Sequence, residues 1–272
     1  MNARRPALRF AMHAAVLVAA TACVSLTPAR VHAAAPAAKA EYVAKQYEPR
    51  SMRDFTGLWV NKDGIGWVPG KIGPKGEPPL TPAYAAIYAQ HLKNASEGRP
   101  TGDPTAACLP QGMPRIMTMV YPMEIMQNDI QLNIFAEWNE QTRRVFIDGR
   151  PHPPADELDP TYYGHSIGRW EGNVLVAETV GLRDDTNLEA TGIPHSGDLV
   201  VHERIWLADK NTLKDEITLV DAKAYTKPWT VTKTYHRAEA GFSLLPYVCL
   251  ENNRNPINAN GEIGVILEDG GR

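Results

Sequence analysis

Residues 198–221 read DLVVHERIWLADKNTLKDEITLVD, and they contain the clearest structural signal in the chain. Apolar and polar side chains alternate over 198–208 and over 213–221, with a polar turn at 208–211 between the two runs. A period of two is typical of a strand with one buried face, and two such strands joined by a short turn form a hairpin. Six further segments have a similar character, so the predicted strands are 121–127, 130–138, 143–148, 163–170, 173–180, 198–208, 213–221 and 229–237.

Short strands at this spacing predict a mostly β protein built as an antiparallel meander. Closing the meander into a β-barrel would leave no unpaired strand edge, and a two-sheet β-sandwich is the alternative. One amphipathic helix is predicted over 81–97, because Thr81 suits the N-cap, Pro82 the first helical position and Gly98 the end. The chain lacks strand–helix alternation and a phosphate-binding glycine loop, so we expect neither a nucleotide-binding fold nor a cofactor.

The first 33 residues have the three parts of a secretory signal. Positively charged arginines precede an apolar run over 10–24, and a Val-x-Ala site ends at Ala33. The apolar run is shorter than the roughly 20 residues that span a bilayer, so no transmembrane span is expected. We therefore predict cleavage near Ala33 and export to the periplasm or the medium. The alternative is acylation of Cys23, which would anchor the protein to a membrane.

Cleavage of this segment would change the charge and the cysteine count. It removes four arginines and no acidic residue, so the formal charge shifts from −3 to −7. A mildly acidic domain has no electrostatic footprint for nucleic acid. Cys108 and Cys249 would remain, and an even pair in an oxidising compartment predicts a disulfide, with two buried free thiols as the alternative. After the signal we expect a flexible lead-in over 34–53 and a single β-barrel domain with long loops over 54–272.

The sequence shows two resemblances, of which the first supports the barrel prediction. The segment FTGLW at 55–59 resembles the Gly-x-Trp start of lipocalin-like (calycin-type) barrels, in which the tryptophan closes one end of the barrel. A second resemblance, to an uncharacterised family of exported bacterial proteins, covers about 105–255. It implies a shared fold and brings no reaction with it. The motifs that carry it are PMEIMQ (122–127), DGRPHP (148–153), GHSIGRWEGN (164–173), PHS (194–196), ER (203–204) and CLENN (249–253).

Polar side chains on apolar strand faces are the first candidates for a functional site, since burying an unpaired charge is costly. Glu203 lies in the middle of the apolar face of 198–208, and Glu124 and Gln127 interrupt another apolar run. The functional interpretation is a ligand cavity lined by these groups and Arg204. The structural interpretation is a buried Glu203–Arg204 pair, or a barrel-end lock in which Arg204 packs over the N-terminal tryptophan.

The DGRPHP segment directly follows a predicted strand. Prolines on both sides of His152 fix it at low entropic cost, and a rigid loop at a barrel mouth suits a general acid or base. Asp148 is placed to orient either Arg150 or His152, and the alternative is a simple turn with a solvated histidine. His165 follows Tyr163 at the start of the next predicted strand, and it is the second candidate for proton transfer.

The connection 181–198 is long enough to be a lid or binding loop, and it carries His195. No Gly-x-Ser-x-Gly elbow is present, and the histidines show no metal-ligand spacing, so neither a serine hydrolase nor a metal site is indicated. We predict metal-free acid/base chemistry of the lyase, hydratase or isomerase type on a small apolar or aromatic molecule. The alternative is a non-catalytic periplasmic carrier or sensor of a hydrophobic small molecule. The predicted catalytic residues are His152, His165, Asp148 and Glu203, and the predicted substrate-binding residues are Glu124, Gln127, Arg150, Tyr163, His195 and Arg204.

Overall fold

Nine strands close into a barrel in the computed structural model, which describes residues 47–64, 67, 78–252, 257 and 259. Each strand pairs with the next, and the first also pairs with the last, so the described strands leave no free edge. The mostly β, lipocalin-like barrel is therefore confirmed, and the sandwich alternative is wrong. The strands are β1 (Gly57–Asn61), β2 (Met123–Gln127), β3 (Gln131–Ala136), β4 (Gln141–Phe146), β5 (His165–Glu171), β6 (Val174–Val180), β7 (Val200–Asp209), β8 (Thr212–Val220) and β9 (Trp229–Arg237).

One strand pair departs from the predicted antiparallel meander. β4 and β5 run parallel, with Val145 opposite Ser166 and Phe146 opposite Ile167. Parallel neighbours need a crossover connection rather than a tight turn, and residues 147–164 provide it. This connection contains the DGRPHP segment, so the crossover brings His152 to the wall of the barrel beside β5.

The predicted helix is confirmed as α1 (Pro82–Ser96). Its contact with the rest of the protein is narrow, because Tyr88 is buried while Ile87 and Leu92 are exposed. His91 Nδ1 lies 2.7 Å from the carbonyl oxygen of Gly192, which ties the helix to the loop before β7. Short 3₁₀ turns complete the described helical structure, at Pro104–Ala107, Arg115–Met117, Trp138–Glu140 and Cys249–Asn252.

Arg237 on β9 closes one end of the barrel over the tryptophan of the FTGLW segment. Trp59 is fully buried, and its indole nitrogen donates a hydrogen bond to the carbonyl of Phe55 at 2.8 Å. The Arg237 guanidinium carbon lies 4.2 Å from the centre of a Trp59 ring, within cation–π range. The same guanidinium donates hydrogen bonds to the carbonyls of Thr56 and Lys210 at 2.8 and 2.9 Å.

The assignment of Arg204 to this lock, or to a cavity or a pair with Glu203, is wrong. Successive residues of a strand point to opposite faces, so the burial of Glu203 inside the barrel places Arg204 on the outer surface. There the Arg204 guanidinium lies 3.3 Å from the carboxylate of Glu171, which is also exposed.

A disulfide joins Cys108 to Cys249, as predicted, with the two Cα atoms 5.4 Å apart. The bond links residues 141 positions apart, and a loop of this size corresponds to about 5 kcal/mol of stabilisation if chain entropy is the cause. Asn139 lies beside the disulfide and donates from its side-chain amide to the carbonyl of Cys108 at 2.9 Å. The C-terminal segment is thus tied to the turn between β3 and β4.

The predicted signal at 1–33, with Cys23, lies outside the described residues, as does the lead-in up to residue 46. Within the part of the chain that the structure describes, no helix is both long and apolar enough to cross a membrane.

Candidate functional site

The barrel wall separates the predicted site residues into two groups. Glu203 faces the interior of β7 and is fully buried. His165 precedes Ser166, which also faces the interior, so the His165 side chain lies on the outer face of β5. The crossover places His152 on that outer face as well. Glu203 and the two histidines are therefore not brought together.

His152 and His165 form one half of a histidine cluster, which we define as His152, His165, Glu178 and His202. The Nδ1 atoms of His152 and His165 are 2.8 Å apart, so one of the two must carry the shared proton. His152 Nε2 lies 3.4 Å from one carboxylate oxygen of Glu178. His202 Nδ1 lies 3.4 Å from the other oxygen. The carboxylate of Glu178 thus lies between two imidazole rings.

Strand register explains why these four side chains meet. Glu178 on β6 is opposite His202 on β7, and both point outward. His165 is the first residue of β5, next to β6 in the wall. His152 comes from the crossover, where Pro151 and Pro153 restrict the backbone on either side.

Phe146 and Arg150 complete one side of the cluster. The Phe146 ring stacks on His165, with ring centres 5.4 Å apart, and the Arg150 guanidinium carbon lies 4.0 Å from the centre of the Phe146 ring. Asp148 accepts hydrogen bonds from Arg150 Nε at 2.9 Å and from Nη2 at 2.7 Å. These bonds hold the pKa of the Asp148 carboxyl below its ordinary value. Asp148 therefore orients Arg150 rather than His152.

The electrostatics of the cluster favour a neutral His165. Partial burial, together with His152 and the positive charge of Arg150, lowers the pKa of the His165 imidazole. We assign the His152 proton to Nε2, which lies 3.4 Å from the Glu178 carboxylate without a hydrogen bond to it, and this leaves His152 Nδ1 as the acceptor of the Nδ1–H of His165. In this tautomeric arrangement the Nε2 atom of His165 carries a free lone pair. The cluster can then act as a coupled His152–His165 pair that ends in a base, with the Glu178 carboxylate beside His152.

A small open groove of about 250 Å³ adjoins the cluster. Glu178 lines the groove and also belongs to the cluster, so the groove contacts the cluster from one side. Arg150 adds a second charge to the groove lining, and Ile167 and Val176 give it apolar surface. The residues that line it are Gly149, Arg150, Ile167, Gly168, Arg169, Val176 and Glu178.

Glu203 belongs instead to a buried charged layer inside the barrel, which consists of Arg143, Glu203, Asp215 and Lys233. All four side chains are fully buried. Arg143 donates from Nη1 to Glu203 at 2.8 Å and makes a second bond from Nη2 to the other carboxylate oxygen. Its Nη2 atom also donates to the Thr179 hydroxyl at 3.2 Å.

Asp215 lies next to this ion pair. Burial and the charge of Glu203 raise the pKa of the Asp215 carboxyl well above its ordinary value. Neither of its oxygens has a hydrogen-bond partner among the described residues. Lys233 is directly opposite Asp215 in the β8–β9 register. Over the residue ranges that the structure describes, the Lys233 amine donates one hydrogen bond, to the carbonyl of Gly64 at 3.3 Å.

Sequence reasoning missed three members of the buried charged layer, although the signal was present. Arg143 shares a strand face with Val145, Asp215 with neighbouring leucine and isoleucine residues, and Lys233 with Val231. This alternation of a charged residue with apolar ones is the same pattern that pointed to Glu203. Glu178 and His202 lie on outer faces, where no such pattern distinguishes a site residue from a solvated one.

Glu124 and Gln127, on β2, lie apart from the histidine cluster. Glu124 is half-buried on the outer face of the strand, opposite Phe135. The amide of Gln127 accepts a hydrogen bond from the backbone N–H of Phe55 at 3.1 Å and donates to the carbonyl of Arg53 at 2.8 Å. Gln127 thus fixes the backbone that leads into β1, and it borders a separate recess of about 460 Å³ that also contains Trp170.

Tyr163 and His195 also make contacts within the fold. Burial raises the pKa of the Tyr163 hydroxyl, which lies 3.4 Å from the side-chain oxygen of Gln141. His195 is buried, with Nε2 2.7 Å from the Thr186 hydroxyl and Nδ1 2.9 Å from the carbonyl oxygen of Ser196. Both ring nitrogens of His195 are therefore occupied within the protein.

Among the described residues, no group of three or more His, Cys, Asp or Glu side chains is arranged to hold a metal ion. No protein-family model matches the chain, and no curated protein is significantly similar to it. The fold and the site geometry therefore define the class: a closed, lipocalin-like β-barrel with a histidine cluster on its outer wall and a charged layer buried inside.

Proposed function

We propose that the histidine cluster catalyses metal-free proton transfer on a small molecule, in a reaction of the lyase, hydratase or isomerase type. The observation that carries this proposal is the 2.8 Å contact between His152 and His165, with Glu178 3.4 Å from the far side of His152, beside an open groove. Two coupled imidazoles backed by a carboxylate are suited to remove a proton from one atom and return it to another.

Each group has a distinct role in this proposal. His165 takes the proton at Nε2, and its Nδ1–H is then stabilised by His152, whose own Nε2–H faces Glu178. Arg150, held by Asp148, provides a positive charge near the site where negative charge develops on the substrate. Phe146 and the aliphatic side chains of the groove provide apolar contact surface, which suits a small apolar or aromatic compound.

The buried layer has no part in this reaction. Glu203 is fully buried and its carboxylate is occupied by Arg143, so we assign it to the barrel interior rather than to catalysis. The same layer weighs against the carrier alternative. A carrier of hydrophobic molecules needs an apolar cavity, whereas this level of the interior contains four ionisable side chains.

Proton abstraction can be tested before the natural substrate is known. The mature protein is incubated in D₂O with a panel of small ketones, hydroxy acids and aromatic carbonyl compounds, and NMR follows exchange of carbon-bound hydrogen and any elimination or isomerisation. We expect at least one compound to exchange, and His165→Asn to slow that exchange by about 100-fold or more. His236→Asn, which changes an exposed histidine on β9, is the matched control and should exchange at the original rate.

The pH profile provides a second readout. The reaction requires neutral His165, and the pKa of this imidazole is lowered, so the rate should hold at pH values below the ordinary histidine pKa of about 6.5 and fall only in more acidic solution. Absence of exchange across the whole panel, or a His165→Asn variant as active as the unmodified protein, would overturn the proposal.

A further inference from the structure

Lys233 occupies an unusual position inside the barrel. Its side chain is fully buried on β9, between the inward-facing residues Val231 and Tyr235. Lysine is almost never buried without a charged partner, since an unpaired ammonium loses its hydration. Yet the one hydrogen bond of the Lys233 amine within the described residues goes to the neutral carbonyl of Gly64, at 3.3 Å.

The surroundings shift the Lys233 amine towards its neutral form. Burial lowers the pKa of Lys233, and the negative charges of Asp63 and Glu189 oppose this effect without cancelling it. The pKa of the Asp215 carboxyl, opposite Lys233, is raised, which favours its uncharged form. A neutral lysine amine has a free lone pair and is a nucleophile.

Asp215 is the nearest cross-strand neighbour of Lys233. The two residues are directly opposite each other in the antiparallel β8–β9 pair, and both side chains are fully buried on the inner face. Directly opposed residues have Cβ atoms about 5 Å apart. The two oxygens of Asp215 have no hydrogen-bond partner among the described residues, and, after burial itself, Glu203 is the neighbouring group that raises its pKa most.

From this pairing we infer that Lys233 is a reactive amine that forms an imine with a small aldehyde or ketone inside the barrel. This site lies on the opposite side of the wall from the histidine cluster and does not depend on the function proposed there. Asn61 donates from its amide to the carbonyl of Met119 at 2.8 Å, and Tyr235 donates to the carbonyl of Met117. The segment 117–119 thus lies beside Asn61 and Tyr235. We take the carbonyl compound to be small because Lys233 is fully buried.

The chemistry balances with the two groups in place. The Lys233 lone pair attacks the carbonyl carbon, and an amine proton moves to the carbonyl oxygen to give a carbinolamine. Asp215 then protonates the hydroxyl, which leaves as water while the C=N bond forms. The resulting iminium returns its proton to the Asp215 carboxylate, so the net products are one imine and one water. No oxidant or reductant is required.

Reductive trapping tests this inference on the disulfide-bonded protein. Propanal is added at about pH 7, where an unperturbed lysine amine with a pKa of about 10.4 is almost wholly protonated, and sodium cyanoborohydride reduces any iminium to a stable propyl amine without reducing the disulfide. Peptide mapping by mass spectrometry then gives the modified fraction at each lysine. We expect Lys233 to be modified several-fold more than the exposed Lys210 and Lys227, because its lowered pKa raises the neutral, nucleophilic fraction of the amine.

Three variants distinguish the specific reaction from background. Lys233→Met should lose the selective modification, and Lys227→Met, which removes an exposed lysine, should retain it. Asp215→Asn should slow modification of Lys233 without loss of folding, because asparagine is isosteric with the acid and cannot supply its proton. Modification of Lys233 at or below the level of the surface lysines overturns the inference, whether the cause is a protonated amine or a closed barrel.

Discussion

Replacement of Arg143 by methionine should destabilise the protein strongly. Arg143 and Glu203 are both fully buried, and the arginine donates two hydrogen bonds to the carboxylate. A hydrogen bond to a charged group contributes about 1.5–3 kcal/mol, so the two together correspond to about 3–6 kcal/mol. Removing one partner of a buried ion pair typically costs about 3–5 kcal/mol, because the other charge remains without compensation. We therefore expect a loss of about 4 kcal/mol, a large part of a typical folding free energy of about 5–15 kcal/mol.

The measurement is urea denaturation at neutral pH, followed by circular dichroism, with the disulfide intact. Arg144→Met is the matched control, since Arg144 is the next residue of β4 and is exposed on the outer face. This control should change the free energy of unfolding by about 0.5 kcal/mol or less. A double variant, Arg143→Met with Glu203→Gln, should recover part of the loss, because an uncharged amide does not need the cation.

The outcome separates two views of the buried charged layer. If Arg143→Met destabilises no more than Arg144→Met, the Arg143–Glu203 pair makes no net contribution, and our account of the interior is wrong. If the double variant is no more stable than Arg143→Met, then an uncompensated charge is not the cause of the loss.

Two further predictions concern Asp215 and the barrel-end lock. Because the pKa of Asp215 is raised in the folded protein, the folded state keeps a proton on this carboxyl that the unfolded chain releases above its ordinary pKa. As the pH rises between these two pKa values, the free energy of unfolding therefore falls by about 1.4 kcal/mol per pH unit. The Asp215→Asn variant should therefore melt at a higher temperature than the unmodified protein at neutral pH, and the difference should shrink towards pH 4. A lower melting temperature of the variant at neutral pH would contradict the raised pKa of Asp215. Arg237→Met should lower the free energy of unfolding by about 1–3 kcal/mol, because it removes the cation–π contact with Trp59 and two hydrogen bonds. Arg204→Met, which removes an exposed arginine, should lower it by about 0.5 kcal/mol or less. Equal effects of the two variants in denaturation experiments would refute the assignment of the lock to Arg237.

The strands were predictable because their cause is local. Alternation of apolar and polar residues over 198–208 and 213–221 marks two strands with one buried face each, and β7 and β8 form that hairpin. The helix was predictable for the same reason, because Pro82 and Gly98 mark its ends in the sequence. Glu203 was correctly placed inside, since it interrupts an apolar face.

The parallel β4–β5 pair is the point at which local reasoning about the fold failed. A long connection between two strands is compatible with either direction of pairing, and no residue in 147–164 specifies one. The direction depends on how the barrel closes, which is a property of all nine strands together.

Partnerships between side chains were decided only in three dimensions. Alternation places Glu203 inside the barrel but does not identify its partner. The partner depends on how β4 and β7 face each other across the interior, and this brings Arg143 to the Glu203 carboxylate. The adjacent Arg204 contacts Glu171 on the outer surface instead. The histidine cluster has the same origin, because Glu178 reaches His152 only through the crossover. A period of two tells which side of the wall a side chain occupies, whereas register and closure determine which distant residue it meets, and these are set by contacts far apart in the chain.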